Sequence, residues 1–338
     1  MSIEIINTSK FVELSDFVFS AIIDEDSFNA DYNKNSSIIQ KSTVGSSQFV
    51  WFIQNQLDIK SNDVIFCHVE VVDHFFKLIS NEQIEDIILI SGQSDKSINE
   101  KIFSSKPKAV KHWFSTNVEC INEFLHPIPL GVNNDYISMY PVENDFKEFE
   151  FSELNTKNNK IYSNFNVNTR FIHRHFAQKI SFKNPIIHYD EKKLNKFEYL
   201  EKLNSFMYIL SPWGNGIDSH RIWEALYANS IPIVKNNIVF SKFKSLPIMF
   251  VDNFKNIKLT DHNNLFETKS MELCDFKFWR QLIFDKKSKE NNKTKKNLKL
   301  DVMSKNILFI QNRNKSNKLK SRKKQLKYFL YRIFKKIF

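Results

Sequence analysis

Glycine is scarce in this sequence. The chain of 338 residues contains 5 glycines, whereas an average usage of about 7% would give about 24. Neither the G-x-G-x-x-G pattern of dinucleotide sites nor the G-x-x-x-x-G-K-[ST] phosphate loop can be written with these five positions. The scarcity therefore excludes both of these nucleotide motifs. Two of the five glycines lie in 214–216, which predicts a positive φ or a close approach of the backbone there.

Cysteines and long apolar runs are also rare. Cys67, Cys120 and Cys274 lie far apart in the sequence, so they fit neither a disulfide framework nor a paired-cysteine metal site, and they indicate a reducing compartment. No apolar run approaches the ~18 residues that a membrane-spanning helix needs. The first residues lack the basic and apolar regions of a signal peptide. We therefore expect a cytoplasmic protein without a transmembrane helix.

Positive charge is concentrated near the C-terminus. The chain has 49 Lys and Arg against 38 Asp and Glu, a net charge of +11. Residues 285–338 contain 19 of the basic and 3 of the acidic residues, a net charge of +16, which leaves 1–284 with −5. Because the body is mildly acidic, its charge does not favour a nucleic-acid-binding fold. No nucleic acid partner is expected.

Short apolar runs alternate with helical patterns along the body, which predicts an α/β fold. Strands are predicted at 63–68, 86–91, 109–114, 127–132, 160–165, 185–189, 206–210, 231–234 and 248–252. Helices are predicted around residues 72–79 and at 169–180, 196–204 and 219–228. The polar and acidic segment 143–159 separates the two sets and is the predicted linker.

Two such sets predict two Rossmann-like domains that face a cleft, an N-terminal domain of 1–150 and a C-terminal domain of 151–284. The remaining segment, 285–338, is predicted to be a solvated linker up to 299 followed by a basic amphipathic helix at 316–338. Apolar residues recur there at helical spacing among lysines, as is typical of a helix at the interface of an anionic membrane. The alternative is a final helix that packs the same apolar stripe against the body.

The segment 206–234 contains the strongest candidate for a functional site. It predicts a strand, a loop with two glycines, a helix that begins after Ser219, and a second strand. His220, Arg221 and Glu224 can share one face of this helix. A phosphate at the helix N-terminus would meet free N–H groups and the Arg221 guanidinium, and Glu224 could accept hydrogen bonds from sugar hydroxyls. An ordinary crossover helix with an Arg221–Glu224 ion pair explains the spacing equally well.

The pattern S-P-x-G-N-G-x-D-x-H-R-x-W-E-A-L at 211–226 resembles the donor-binding motif of exostosin-like glycosyltransferases, including their ribitol-xylosyltransferase-like branch. The segments 88–95, 111–117 and 128–132 resemble the N-terminal pattern of the same family more weakly. The resemblance implies a GT-B architecture, in which the N-terminal domain holds the acceptor and the C-terminal domain the nucleotide sugar. It implies inverting transfer of a sugar from a nucleotide donor, with UDP expected, to an acceptor hydroxyl in the synthesis of a cell-surface glycan or polysaccharide.

The resemblance also implies roles for individual residues. Arg221 would neutralise the donor diphosphate, and Glu224 would bind the ribose of the nucleoside. The residues expected to shape the phosphate loop are Gly214, Asn215, Gly216, Ser219 and His220, and Arg170 is a second candidate contact to the diphosphate. No metal and no cofactor are expected, because GT-B enzymes usually act without a metal and the nucleotide sugar is a substrate. The acidic triplet at 24–26 is accordingly interpreted as a surface turn.

Transfer to a hydroxyl needs a general base, which should lie on the N-terminal side of the cleft. Asp95 is the first candidate because it follows the end of a predicted strand, although an aspartate there could simply cap the next helix. Glu70 and His68 are alternatives, with the reservation that a histidine on an apolar strand is more often a core residue. His112 and Trp113 are expected to pack rather than to contact the acceptor.

The expected partners are a nucleotide sugar, a glycan or lipid-linked acceptor, and the inner face of an anionic membrane contacted through 316–338. Two other functions fit the same residues. One is a fucosyltransferase-like GT-B enzyme with a guanosine donor. The other is a non-catalytic protein that binds a nucleotide or a glycan and that its tail recruits to membranes.

Overall fold

The structure, a computed structural model, describes residues 3–134, 137, 139–259, 269–287, 297–301 and 309–310. It is a mixed α/β fold with one sheet of seven strands, one of five and one of two, so the predicted α/β class is confirmed. The strands are β1 (Phe17–Asp24), β2 (Ser36–Val44), β3 (Ser47–Gln54), β4 (Gln56–Lys60), β5 (Val64–His68), β6 (Ile87–Gly92), β7 (Val110–Ser115), β8 (Leu125–Pro127), β9 (Asn158–Ser163), β10 (Ile187–Tyr189), β11 (Phe206–Leu210), β12 (Ile231–Lys235), β13 (Met249–Val251) and β14 (Asn297–Asp301).

Helices surround the two larger sheets. The α-helices are α1 (Thr8–Glu13), α2 (Glu25–Ser27), α3 (Val72–Ile79), α4 (Glu100–Phe103), α5 (Glu143–Glu148), α6 (Phe171–Lys183), α7 (Lys196–Ser205), α8 (His220–Tyr227) and α9 (Phe276–Asp285). Short 3₁₀ helices lie at Asn33–Asn35, Val69–Val71, Leu154–Thr156, Ile238–Phe243, Phe254–Asn256 and Glu272–Cys274, and a π-helical turn lies at Phe28–Tyr32. Among the described residues, no helix is long and apolar enough to cross a membrane.

The seven-stranded sheet has the order β2-β3-β1-β5-β6-β7-β8. Its last five strands in this order are parallel, and β3 pairs antiparallel with both β1 and β2. Strands β5 and β6 are buried along their whole length, as expected for parallel strands covered on both faces. The predicted elements at 63–68, 72–79, 86–91 and 109–114 are therefore confirmed.

The five-stranded sheet has the order β10-β9-β11-β12-β13 and is entirely parallel. Helices α6, α7 and α8 connect successive strands from β9 to β12. Every strand and helix predicted between residues 160 and 252 is present, with ends that differ by no more than 3 residues.

The predicted strand at 127–132 is wrong. Strand β8 ends at Pro127, because Pro127 and Pro129 have no N–H group to donate to a ladder. Gly131 then adopts a φ of +71°, and a Cβ on it would lie 2.1 Å from the carbonyl oxygen of Ile6. This close contact fixes the loop after β8 against the N-terminal segment.

Both predicted linkers contain regular structure. The segment 143–159 includes α5, the buried side chain of Phe146 and the first residues of β9. The segment 285–299 ends in β14, which pairs antiparallel with β4 so that Leu298 faces Ile59 in register. An apolar residue within the lysine-rich run thus adds a strand to the N-terminal half of the protein. The tail segment 316–338 lies outside the described residues.

One hydrophobic core is shared by the two halves of the molecule. Phe66 and Phe114 of the first sheet belong to the same buried cluster as Trp223 of α8 and Trp279 of α9. The shared core brings the loops that follow β6, β7 and β8 against the loop that follows β11.

Candidate functional site

Backbone donors of the loop between β11 and α8 meet side chains that follow the strands of the first sheet. The Gly216 N–H donates to Oδ1 of Asp95 at 3.0 Å. The next two N–H groups both donate to Oδ1 of Asn117, at 2.9 and 2.8 Å. We refer to these three donors, residues 216–218, as the N–H cradle.

The two acceptors of the N–H cradle come from the carboxyl ends of neighbouring parallel strands. Asp95 follows β6, and Asn117 follows β7 with a φ of 52°, a left-handed conformation in which asparagine is enriched. Asn117 is buried, whereas Asp95 is exposed to solvent. Ligands of open α/β sheets bind at this edge, so the fold places an accessible carboxylate beside the expected ligand position.

Gly216 allows the two halves to approach at this point. A Cβ on Gly216 would lie 2.9 Å from Nδ2 of Asn117 and 3.3 Å from Oδ1 of Asp95. The close approach predicted for 214–216 is therefore confirmed at Gly216. The alternative, a positive φ, is found at neither glycine of this tripeptide.

Asp218 is buried and forms hydrogen bonds with both halves of the molecule. Its Oδ2 accepts from the Leu130 N–H at 2.9 Å, and its Oδ1 accepts from Nε1 of Trp223 at 2.9 Å. Burial raises the pKa of Asp218 to about 7, against the lowering effect of these donors. Asp218 is therefore a structural link within the core rather than an open ligand contact.

Helix α8 begins beside this link. Ser219 is its N-cap residue without a side-chain cap bond, and the buried Ser219 hydroxyl has no partner within the described residues. Nδ1 of His220 lies 2.8 Å from the carbonyl oxygen of Gly131. Because a carbonyl oxygen can only accept, this nitrogen donates.

Arg174 is a buried cation next to the glycine loop. It is 7% exposed, and its Nε and Nη1 donate to the carbonyl oxygens of Trp213 and Asn166 at 2.9 and 3.1 Å. Burial lowers the pKa of Arg174 to about 9, with Arg221 adding to the effect and Asp95 opposing it. The guanidinium is thus held in the site at an electrostatic cost.

A second arginine contacts the same loop, and a third, Arg221, lies close enough to Arg174 to lower its pKa. Arg170 is exposed, has a φ of 46°, and places Nη1 3.4 Å from the carbonyl oxygen of Asn215. The guanidinium carbon of Arg221 lies 5.8 Å from the ring centre of Tyr199. Within the described part of the chain, neither these two arginines nor Arg174 forms an ion pair with a carboxylate. The loop therefore has positive charge beside it that no carboxylate of the described residues neutralises through an ion pair.

Glu224 does not pair with Arg221. It is 5% exposed, and its two oxygens accept from Nδ2 of Asn133 at 3.1 Å and from the Tyr199 hydroxyl at 2.7 Å. The ion pair of an ordinary crossover helix is thus replaced by neutral donors.

A groove of about 640 Å³, lined by Met139 and 193–197, lies at the start of α7, one turn before Tyr199.

The alternative base candidates have structural partners. His68 is buried, lies 4.3 Å from the ring centre of Trp51, and accepts through Nδ1 from the Glu70 N–H at 3.3 Å. Oε1 of Glu70 accepts from the Ser94 hydroxyl at 3.1 Å, which places Glu70 close to the Asp95 loop. His68 is a core residue, and Glu70 remains the nearer alternative.

His112 and Trp113 lie on β7, away from the N–H cradle. Nδ1 of His112 is 3.1 Å from Nε2 of His126, and burial followed by neighbouring cations lowers the pKa of both imidazoles to about 4. Trp113 is fully buried and donates from Nε1 to the Ser91 hydroxyl at 2.8 Å. Both side chains pack within the first half.

The acidic triplet lies at the end of β1. Asp24 caps α2 by accepting from the Ser27 N–H at 2.7 Å, and Glu25 forms an ion pair with Lys41. Across the ranges that the structure describes, no group of three or more His, Cys, Asp or Glu side chains could hold a metal ion.

Arg174 and Asn117 were not among the predicted site residues. Arg174 follows Arg170 by four positions in the predicted helix 169–180, so the two could have been recognised as neighbours on one face. Asn117 is the last residue of the segment 111–117, but nothing in the sequence indicates that it contacts a loop 100 residues later.

No protein-family model matches the chain, and no curated protein matches it in sequence. What the chain does is therefore inferred from the side chains at the junction of its two halves.

Proposed function

We propose that the chain is an inverting glycosyltransferase that moves a sugar from a nucleoside diphosphate donor to an acceptor hydroxyl. The observation that carries this proposal is that Arg170 and Arg174 contact 213–216 without a carboxylate ion pair among the described residues, with Arg221 close to Arg174 and the accessible carboxylate of Asp95 beside the loop. Arginine binds phosphate oxygens through charge-assisted and often bidentate hydrogen bonds. A ligand with two or more negative charges, such as a diphosphate, would balance these cations.

The proposed architecture is of the GT-B type, with 1–150 on the acceptor side, 151–284 on the donor side and 285–338 as an appendage. Two observations support it. The second sheet is a parallel Rossmann-like sheet, and the loops after β6, β7 and β11 lie against one another at their carboxyl ends. The expected ribose ligand Glu224 is buried with both oxygens hydrogen-bonded, so the proposal does not depend on it. Gly214, Asn215, Ser219 and His220 remain the proposed donor contacts in the loop and helix start.

The proposed reaction is a single displacement. Asp95 takes the proton of the acceptor hydroxyl while that oxygen attacks the anomeric carbon of the donor sugar. The bond from the anomeric carbon to the diphosphate breaks, and its electron pair leaves on the diphosphate oxygen. Arg174 and Arg221 would stabilise the charge that develops there, and attack opposite to the leaving group inverts the anomeric centre.

Arg221→Ala should weaken donor binding about tenfold, because a half-exposed charge-assisted contact contributes ~1.5 kcal/mol. Isothermal titration of the full chain with UDP, GDP and CDP sugars measures this effect. Arg280→Ala is the control. Arg280 lies on α9 and forms an ion pair with Glu4, so its removal should leave donor affinity unchanged. Equal affinities of the wild-type protein and Arg221→Ala, with both folded, would remove Arg221 from the donor site.

A non-catalytic binding protein is the second candidate. It is favoured by the hydrogen bond from Gly216 to Asp95, which engages the proposed base. Product analysis in the same titrations separates the two functions, since binding of a nucleotide sugar without transfer or hydrolysis indicates a binding protein. A preference for GDP-linked over UDP-linked sugars would instead favour the fucosyltransferase-like alternative.

We also propose that 316–338 binds the inner, anionic face of a membrane and brings the site to a lipid-linked acceptor. Lys323→Gln combined with Lys324→Gln in the full chain should weaken sedimentation with phosphatidylserine vesicles about thirtyfold, at ~1 kcal/mol per basic residue. Lys101→Gln combined with Lys108→Gln removes the same charge from exposed positions of the body and should have little effect. If both pairs behave alike, the tail is not the membrane contact, and a lowered Tm of the tail variant would indicate that it packs on the body.

A further inference from the structure

The Asp95 carboxylate lies where positive charge and backbone donors converge. Its Oδ1 accepts from the first donor of the N–H cradle at 3.0 Å, just before the N-terminus of α8, where the helix dipole favours negative charge. Its charge also favours the charged form of the buried Arg174 guanidinium. Asp95 therefore accepts from a backbone N–H that a phosphoryl group could also use at this loop.

Two other carboxylates of the segment 211–226, Asp218 and Glu224, are already hydrogen-bonded elsewhere. Both oxygens of Asp218 are hydrogen-bonded within the core, and both oxygens of Glu224 are held by Asn133 and Tyr199. Arg174 is more than nine-tenths buried, and its Nη2 lies 3.6 Å from the position of a Cβ on Gly214. A buried guanidinium and an exposed carboxylate thus lie at the two glycines of 214–216.

We propose that Asp95 and the diphosphate of the donor compete for the Gly216 N–H and for the positive potential of the buried Arg174 beside it. This inference rests on the proposed function, because it describes how the same site is regulated. When a diphosphate takes the Gly216 N–H, the Asp95 side chain turns away from the loop and becomes free to accept the proton of the acceptor hydroxyl. The base is then released only when the donor is in place, so donor binding precedes activation of the acceptor.

Removal of the Asp95 charge should therefore strengthen anion binding. Asp95→Asn keeps an oxygen that can accept from the Gly216 N–H but removes the repulsion between the carboxylate and a bound diphosphate. Because Asp95 is exposed, the gain is screened by salt, and we expect inorganic pyrophosphate and UDP to bind about fivefold more tightly at low ionic strength. The gain should shrink as salt is added.

Asp86→Asn is the matched control. Asp86 precedes β6 and Asp95 follows it, so the two residues lie at opposite ends of one strand, about 20 Å apart. Asp86 has a φ of 60°, which asparagine tolerates. Both variants lose one negative charge from the same half of the protein, and only Asp95→Asn should change the affinity for pyrophosphate.

Calorimetric titration of the folded full-length variants with pyrophosphate and UDP tests whether Asp95 competes with a bound diphosphate. Tighter binding by Asp95→Asn but not by Asp86→Asn supports the competition. Equal or weaker binding by Asp95→Asn overturns it, and so does the absence of pyrophosphate binding by every variant. If the wild-type protein binds and transfers a nucleotide sugar while Asp95→Asn shows no gain, only the competition fails. If pyrophosphate binding shows the gain but no nucleotide sugar binds, only the proposed function fails.

Discussion

Arg174→Met should reduce the affinity for the nucleoside diphosphate about a hundredfold while the Tm of the protein stays at or above that of the wild type. The loss follows from removal of a buried guanidinium, whose charge-assisted bonds to phosphate are worth ~1.5–3 kcal/mol each. Arg174 is the most buried of Arg170, Arg174 and Arg221, so water weakens its contact least.

The expected Tm follows from the direction of the pKa shift. Burial lowers the pKa of Arg174 to about 9, so the charged form is less favourable in the folded protein than in the unfolded chain at every pH below that value. Replacement of a poorly compensated buried charge by an apolar side chain is often stabilising by ~1–4 kcal/mol. Two lost hydrogen bonds to the carbonyls of Trp213 and Asn166 offset part of this gain at ~1 kcal/mol each.

Calorimetry with UDP and a thermal melt of the same samples measure both effects of Arg174→Met. Arg280→Met is the control, because it removes an arginine from a partly exposed ion pair and should change neither quantity by much. A variant that binds normally would show that Arg174 is a structural residue of the loop. A large fall in Tm would show that its bonds to the carbonyls outweigh the cost of burying its charge.

Asp95→Asn should lower the rate of sugar transfer by ~10²–10⁴-fold, the usual contribution of a general base. The effect should appear in kcat, because the asparagine cannot take a proton but still fills the same space. Nucleotide affinity should not fall. Initial-rate measurements with the donor identified by titration test this expectation.

Glu70→Gln serves as the comparison for the base. Glu70 lies close to the same loop through its bond from Ser94, and it is the nearer of the two alternatives. We expect a much smaller loss of kcat in Glu70→Gln than in Asp95→Asn. A reversed order would transfer the role to Glu70, and two fully active variants would require a base elsewhere in the cleft.

The second half of the fold could be predicted from the sequence because its signals are local. In 160–252, short apolar strands alternate with helices, and the central strands β11 and β12 are buried along most of their length. The first half was predicted only from residue 63 onward. Strand β2 has a mixed burial pattern, as is common at a sheet edge. Strand β14 carries its apolar residues within a lysine-rich run. Neither sequence therefore shows the regular alternation of apolar and polar residues that predicts a strand.

Only the part of the candidate site that lies within the continuous motif 211–226 could be predicted from the sequence. The spacing in 211–226 indicated the glycine loop, the start of α8 and the close approach at Gly216. Asn117 reaches the N–H cradle from 100 residues away, and Glu224 turns inward because Tyr199 and Asn133 lie beneath it. Such contacts depend on how the two halves pack, which no local pattern encodes.

A thermal-shift measurement of the full chain with nucleoside diphosphates tests the central claim most directly. Saturation of the site at 100 times the Kd adds ~2.7 kcal/mol to the stability of the folded state. We expect that at least one of UDP, GDP, CDP and ADP raises the Tm, that the matching nucleoside without phosphates does not, and that Arg174→Met loses the shift. No shift with any nucleoside diphosphate or nucleotide sugar would contradict the claim.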